Sequence, residues 1–300
     1  MRNGNLLQYL HLHFIVFVWG YTAVLGALIS LEAIPLVWYR MLLATGLVGL
    51  FILFRKKSLR FSKKVLTGFF IAGFIIAVHW LTFFGAIKAS NVSVTLAVMS
   101  TGAFFTSLLE PMFYRRKVIL YELVFGLLTM IGLFIIFKAS WHYLLGILLA
   151  LLSAFLSALF SVINSRYAKR YEASTISFYE LGFGVLCITV YLALKGDFTA
   201  SFFKVSATDW GYLFILASAC TAYAFIASVH VMKWLSPFTV MLTINLEPVY
   251  GIILAVLVLG DSENMSPQFY IGAAIILLTV LANGYLKMRK RRKSKQIPFS

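Results

Sequence analysis

Negative charge, cysteine and histidine are all scarce in this chain. Ten Asp and Glu stand against 26 Lys and Arg in 300 residues, a formal net charge of +16. The two cysteines, Cys187 and Cys220, both fall inside apolar runs, which excludes a disulfide framework and a thiolate metal site. The five histidines are scattered, with His11 and His13 early in the chain and His142 at the very start of an apolar run, so no metal-ligand spacing results and no cofactor is implied. A Gly-x-x-x-x-Gly-Lys phosphate loop is missing, which excludes direct drive by ATP. His-Glu-x-x-His and Gly-x-Ser-x-Gly are missing too, which argues against an intramembrane hydrolase. Nor is there a polar stretch long enough for a soluble domain. The longest basic gap is about ten residues, so the positive balance is not a nucleic-acid surface.

What remains is apolar. With 61% hydrophobic residues and a mean hydropathy of +0.92, too little polar surface is left to face water. The apolar runs lie at 8–29, 34–54, 65–87, 92–113, 118–137, 142–163, 174–194, 210–232, 237–259 and 267–286. Each is near the ~20 residues that carry a helix across hydrocarbon. No alternating strand pattern for a lipid-facing barrel occurs, so the sequence predicts an all-α integral membrane protein with ten transmembrane helices. The first run lacks a small-residue cleavage pattern and is expected to remain as a span.

Charge sets the orientation. Of the 26 Lys and Arg, 21 fall in alternate gaps and in the tail 287–300, only Lys88, Lys138, Lys195 and Lys204 fall in the other gaps, and Arg40 lies inside a run. The positive-inside rule then puts both N and C termini in the cytoplasm, in a multi-pass protein of the cell (inner) membrane. The basic tail reads as an orientation signal, with membrane lipid headgroups as its partners.

The ten runs also read as one five-helix unit used twice, residues 1–138 and 139–286. Val37-Trp38-Tyr39-Arg40 aligns with Ser177-Phe178-Tyr179-Glu180 at an offset of 140, and Ala86-Ile87-Lys88 with Val231-Met232-Lys233 at 145. The second offset sets Glu247 opposite Gly102. Because five is odd, the second unit enters the membrane from the opposite face. Such inverted repeats place a substrate site between the halves near the midplane.

Trp19-Gly20, the Tyr39-Arg40 pair, the run Phe83-Phe84-Gly85-Ala86-Ile87-Lys88-Ala89-Ser90, Glu247-Pro248 and Leu259-Gly260-Asp261 together resemble the EamA-type family of the drug/metabolite transporter superfamily. Asp261 stands where that family usually has Glu, and Ala103 fills the slot matching Pro248. The resemblance implies a cytoplasmic-membrane carrier, often an exporter, for amino acids or other small metabolites.

Ionisable groups inside spans cost at least about 2.5 kcal/mol each at the helix centre, which makes each a functional candidate. Glu247 leads, because Pro248 is expected to free the carbonyl of Ile244 and kink the ninth helix beside it. Arg40 and Glu180 sit at equivalent points of the two units and are expected either to neutralise each other or to act as gates, with Arg40 also able to fork onto a substrate carboxylate. His79, Trp80 and Trp19 lie deep. Tyr39, Ser100, Thr101, Tyr223 and Asn245 add hydrogen-bonding groups to the candidate substrate-binding or coupling set. Ser153, Ser157 and Ser161 recur at i, i+4, i+8 and are expected to mediate close helix packing. These features predict a secondary transporter of a small molecule, with proton or solute counter-transport as an extension. A channel, or an enzyme acting on a lipid-linked substrate, is the competing class; a channel would need a pore ring and an enzyme a clustered catalytic set.

Overall fold

Where the structure describes them, the apolar runs fold as helix because, without water, backbone N–H and C=O groups find partners only within their own helix. The computed structural model describes residues 2–114, 120–231, 233–235, 243–244 and 246–295, and among them there is no strand. Three long helices come first, α1 (Arg2–Leu28), α2 (Ala33–Phe54) and α3 (Lys63–Ala89). The fourth run forms two pieces, α4 (Val92–Met99) and α5 (Gly102–Tyr114). Then follow α6 (Leu120–Ala139), α7 (Leu144–Tyr167) and α8 (Ala173–Lys195). The eighth run is α9 (Ala207–Ala217), a π-helical segment Ser218–Tyr223 and α10 (Ala224–Val231). Last come α11 (Glu247–Leu259) and α12 (Pro267–Lys295).

Among the described residues, seven helical stretches are long and apolar enough to cross a membrane, and Val124–Ala139 and Pro267–Thr279 are shorter apolar helices. The start of the expected ninth run, the basic group Arg115, Arg116 and Lys117, and Asn245 lie outside the described residues. The outer surface is apolar, with Phe54 83% and Leu194 85% exposed, as suits side chains that face lipid.

Three expected continuous spans are interrupted. Between α4 and α5 the Ser100 hydroxyl donates to the Ala97 carbonyl at 2.6 Å and the Thr101 hydroxyl to Val98 at 2.8 Å, so side chains take up carbonyls the helix would otherwise use, and glycine follows. In the eighth span the Thr221 hydroxyl reaches back five residues to the Leu216 carbonyl at 2.6 Å within the π segment. Among the described residues Pro248 kinks no helix. It sits in the first turn of α11, where its missing N–H is not needed. The two breaks are register-equivalent: α5 and α11 are both 13 residues long, and Gly102 and Glu247 open them at the 145-residue offset.

Within lipid, helices associate through close packing more than through water exclusion. α6 and α12 cross at Gly132 and Gly272, where a Cβ on either would lie 2.8 Å from the other's carbonyl oxygen. Gly272→Leu is expected to cost about 1–3 kcal/mol by forcing the pair apart. It should lower the thermal midpoint in detergent, whereas Gly211→Leu, at a glycine with open space around it, should not.

The two ends of the bundle are held differently. At the end carrying residues 196–206, Asp209 accepts from the Ser30 amide at 2.8 Å and the Ser30 hydroxyl at 2.6 Å. There the Glu263 carboxylate caps α4 by accepting from the amides of Val92 at 3.0 Å and Ser93 at 2.8 Å. An aromatic cluster, Trp38, Tyr39, Phe198, Phe202 and Trp210, covers the same end. At the basic end Glu172 meets Lys57 at 3.8 Å and Lys233 at 3.6 Å, all substantially exposed, and such pairs contribute only about 0–1 kcal/mol. A cavity of about 600 Å³ between α1, α2, α8 and α10 opens beside them, lined by His11, Arg55, Glu172, Tyr223 and His230 among others.

Candidate functional site

The broken helices meet a second, internal cavity of about 120 Å³, against roughly 150 Å³ for a protein cavity that takes up benzene. Met99, Ser100 and Gly102 line it from the α4–α5 break, and Ile244, Glu247 and Pro248 from the start of α11. The opposite walls are Trp19 from α1, Arg40 from α2, His79, Trp80 and Phe83 from α3, Phe160 from α7 and Phe225 from α10. Aromatic faces therefore surround a small number of polar groups, the usual composition of a small-molecule pocket.

Arg40 is the best-defined of these groups. It is 1% exposed, its Nε donates to the Thr221 hydroxyl at 2.6 Å, and its Nη1 has no hydrogen-bond partner. The guanidinium lies 4.0 Å from the Trp80 ring centroid and 5.3 Å from that of Phe84, so its faces are stacked while its donor edge remains free. The π segment explains the Thr221 contact, because the widened turn aims that hydroxyl at α2. Glu247 is half-buried and lies within electrostatic range of Arg40, but among the described residues no salt bridge joins them.

His79 is oriented from behind. Its Nδ1 is 2.9 Å from both the carbonyl and the hydroxyl of Ser153, and the Ser153 hydroxyl lies 3.0 Å from the His79 carbonyl. A carbonyl only accepts, so Nδ1 carries the proton and Nε2 is left as an acceptor. The serine stripe of α7 therefore divides its work: Ser153 fixes His79, while Ser157 and Ser161 line the cavity.

Not every candidate gathers here. Tyr39 turns to the far end, where its hydroxyl donates to the Phe202 carbonyl at 3.3 Å. Thr101 is buried and bonds its own helix, and Tyr223 points into the larger cavity with its hydroxyl 2.7 Å from His11 Nε2. The expected Arg40–Glu180 pair does not form in this conformation. Glu180 is fully buried elsewhere, with its Oε2 accepting from Asn164 Nδ2 at 2.9 Å. Thr221, Ser153 and Asn164 are partners that sequence reasoning did not single out for these roles. The run of small residues Ser218-Ala219-Cys220-Thr221 is the local sequence signal of the irregular helix.

A helical bundle with a lipid-facing apolar surface and a solute-sized cavity between broken helices defines a multi-pass membrane protein built around an internal site. The chain belongs to the EamA-like transporter family, whose family model matches residues 7–138 and again residues 144–285, and it is thus a membrane transporter of the drug/metabolite type. No curated protein sequence matches it. A solved structure, described only as "Crystal structure of protein", shares the fold with a TM-score of 0.65 at 17% identity, over 93% of this chain and 96% of the other.

Proposed function

We propose that the protein is a secondary transporter that moves a small metabolite bearing a carboxylate and a cationic group, an amino acid or related compound, out of the cell across the cytoplasmic membrane by alternating access. The observation that carries this reading is the free Nη1 edge of the buried Arg40 guanidinium in the cavity that Glu247 also lines. A carboxylate would complete the Arg40 fork, and Glu247 would receive the cation. The aromatic walls suit an apolar or flat body between them.

The register-equivalent breaks at Gly102 and Glu247, together with two successive family matches, support ten spans in two inverted five-helix repeats. Both termini are assigned to the cytoplasm on the charge distribution, which puts residues 196–206 outside. In that orientation the buried ties of Asp209 and Glu263 hold the outer end, while among the described residues the ion pairs of the inner end, Glu172 with Lys57 and Lys233, are exposed.

The test is counterflow in proteoliposomes preloaded with a mixture of unlabelled amino acids, followed with labelled members one at a time. Saturable, solute-dependent counterflow is expected. Unsaturable flux would identify a channel instead, and no flux with any member would remove the proposed substrate class. The orientation is checked separately, with cysteines introduced at Lys204 and Lys293. An impermeant thiol reagent should label the first and spare the second on intact cells, and the reverse pattern would overturn the topology.

A further inference from the structure

The pair Glu180 and Asn164 is buried, titratable and separate from the cavity. Glu180 is 0% exposed and Asn164 is 1% exposed. One hydrogen bond joins them, Asn164 Nδ2 to Glu180 Oε2 at 2.9 Å, which leaves Glu180 Oε1 and Asn164 Oδ1 without partners. The site is closed off from the surface, and α3 and α8 cross closely beside it: a Cβ on Gly73 would come within 2.5 Å of the Glu180 carbonyl oxygen, and one on Gly184 within 2.9 Å of the Gly73 carbonyl oxygen.

Among the described residues no neighbouring charge pairs with a carboxylate there. On the elements packed against α8, Arg40 of α2 faces Thr221 and Trp80, and His79 of α3 faces Ser153. On α10 His230 lines the larger cavity, and on α7, which carries Asn164, Arg166 donates to the Phe113 carbonyl. On α8 itself the Tyr179 hydroxyl donates to the Leu59 carbonyl. An ionised carboxylate with one neutral hydrogen bond in such a place is strongly disfavoured. Both orphan atoms are acceptors, so the structure holds one acceptor too many and lacks one hydrogen.

We infer that Glu180 and Asn164 form a proton-binding site, in which a proton on Glu180 Oε1 donates to Asn164 Oδ1 and closes a cyclic acid–amide pair. A single proton satisfies both orphans. A metal cation does not fit as well, because two oxygens fall far short of the coordination set a hard cation takes. The bond couples α7 to α8, so separation of these helices would strip the carboxyl of its acceptor and favour release of the proton. Resting on the transporter reading, this would supply a coupling site away from the solute cavity.

Glu180→Gln is the direct test, since its amide can make both hydrogen bonds without a proton. The infrared spectrum of the purified wild type at neutral pH should contain a hydrogen-bonded protonated-carboxyl band that is absent from Glu180→Gln. The wild type should lose folding stability as pH rises above the carboxylate range, up to a tenfold loss in the folding equilibrium per pH unit, because folding takes up a proton that the unfolded chain does not hold. That slope should be shallower in Glu180→Gln. Should Glu180→Gln fail to fold, Asn164→Ala in the otherwise native chain should shift the band. Identical spectra in wild type and Glu180→Gln, an unmoved band in Asn164→Ala, or wild-type stability that follows sodium at constant pH would each overturn the inference. None of these readouts needs transport, so failure of counterflow and failure of the proton site are distinguishable.

Discussion

Arg40→Gln is expected to abolish high-affinity transport while leaving the protein at least as stable as the native chain. The two effects have one cause. Arg40 holds a buried charge whose Nη1 has no partner, and among the described residues Glu247, the carboxylate that interacts with it electrostatically, forms no salt bridge with it. A shorter, neutral amide removes an uncompensated charge from a low-dielectric interior, which favours the empty protein. It also removes the partner a substrate carboxylate would take. Truncating one side of a buried charge pair costs about 2 kcal/mol or more, so the apparent affinity should fall at least roughly thirtyfold. Arg40→Lys should not restore it, since an ammonium offers neither the planar fork nor the stacking on Trp80. The measurement is concentration-dependent counterflow beside the thermal midpoint of the same preparations. Native affinity in Arg40→Lys would remove the bidentate carboxylate contact, and a large fall in the midpoint of Arg40→Gln would make Arg40 a structural residue.

The second large effect is on stability. Glu263 is 2% exposed and accepts from two amides at the start of α4, while its own carbonyl accepts from the Ser93 hydroxyl at 3.2 Å. A carboxylate at a helix N-terminus is favoured by the helix dipole as well as by its hydrogen bonds. Glu263→Ala leaves two buried amides unpaired, and with hydrogen bonds to charged groups at about 1.5–3 kcal/mol each, the loss should reach about 3 kcal/mol. Glu263→Gln should fall between, because one oxygen remains to accept and the new NH2 faces a donor. Since the contact ties α4 to the segment after α11, its loss should also loosen that end of the bundle. A cysteine at the fully buried Val94, with Cys187 and Cys220 replaced, should then become accessible to an impermeant reagent in Glu263→Ala. An unchanged midpoint together with continued protection of that cysteine would show that the cap carries no load.

The legibility of the site followed a physical divide. Arg40, Glu180, His79 and Glu247 stood out in the sequence because an ionisable group in a long apolar run is costly wherever the helix ends up packing. The cost says that such a group needs a partner, and says nothing about which one. The sequence alignment put Arg40 and Glu180 at equivalent points, yet symmetry of position does not bring side chains together. Arg40 finds Thr221 across 181 residues and Glu180 finds Asn164 just 16 residues before it. The spacing of Ser153 in the sequence predicts helix packing, whereas its carbonyl and hydroxyl orient His79. The helix interruptions were half legible. Pro248 marked the ninth span, but the break at Ser100 and Thr101 carries no proline and rests on side-chain hydroxyls and the following Gly102.

By itself the sequence determined the medium and the class of fold, because membrane partitioning depends on the summed transfer energy of each run, an additive property readable without coordinates. It also determined that charges would have to be satisfied inside the bundle. The tertiary structure alone decided which helices break, which hydroxyl meets Arg40, which buried acid is left short of a hydrogen, and that Glu263 rather than Asp261 ties the end of the bundle. Those outcomes depend on distances of a few ångströms between residues far apart in the chain, set by how close α3 and α8 or α6 and α12 approach. Close packing in lipid is not additive along the sequence.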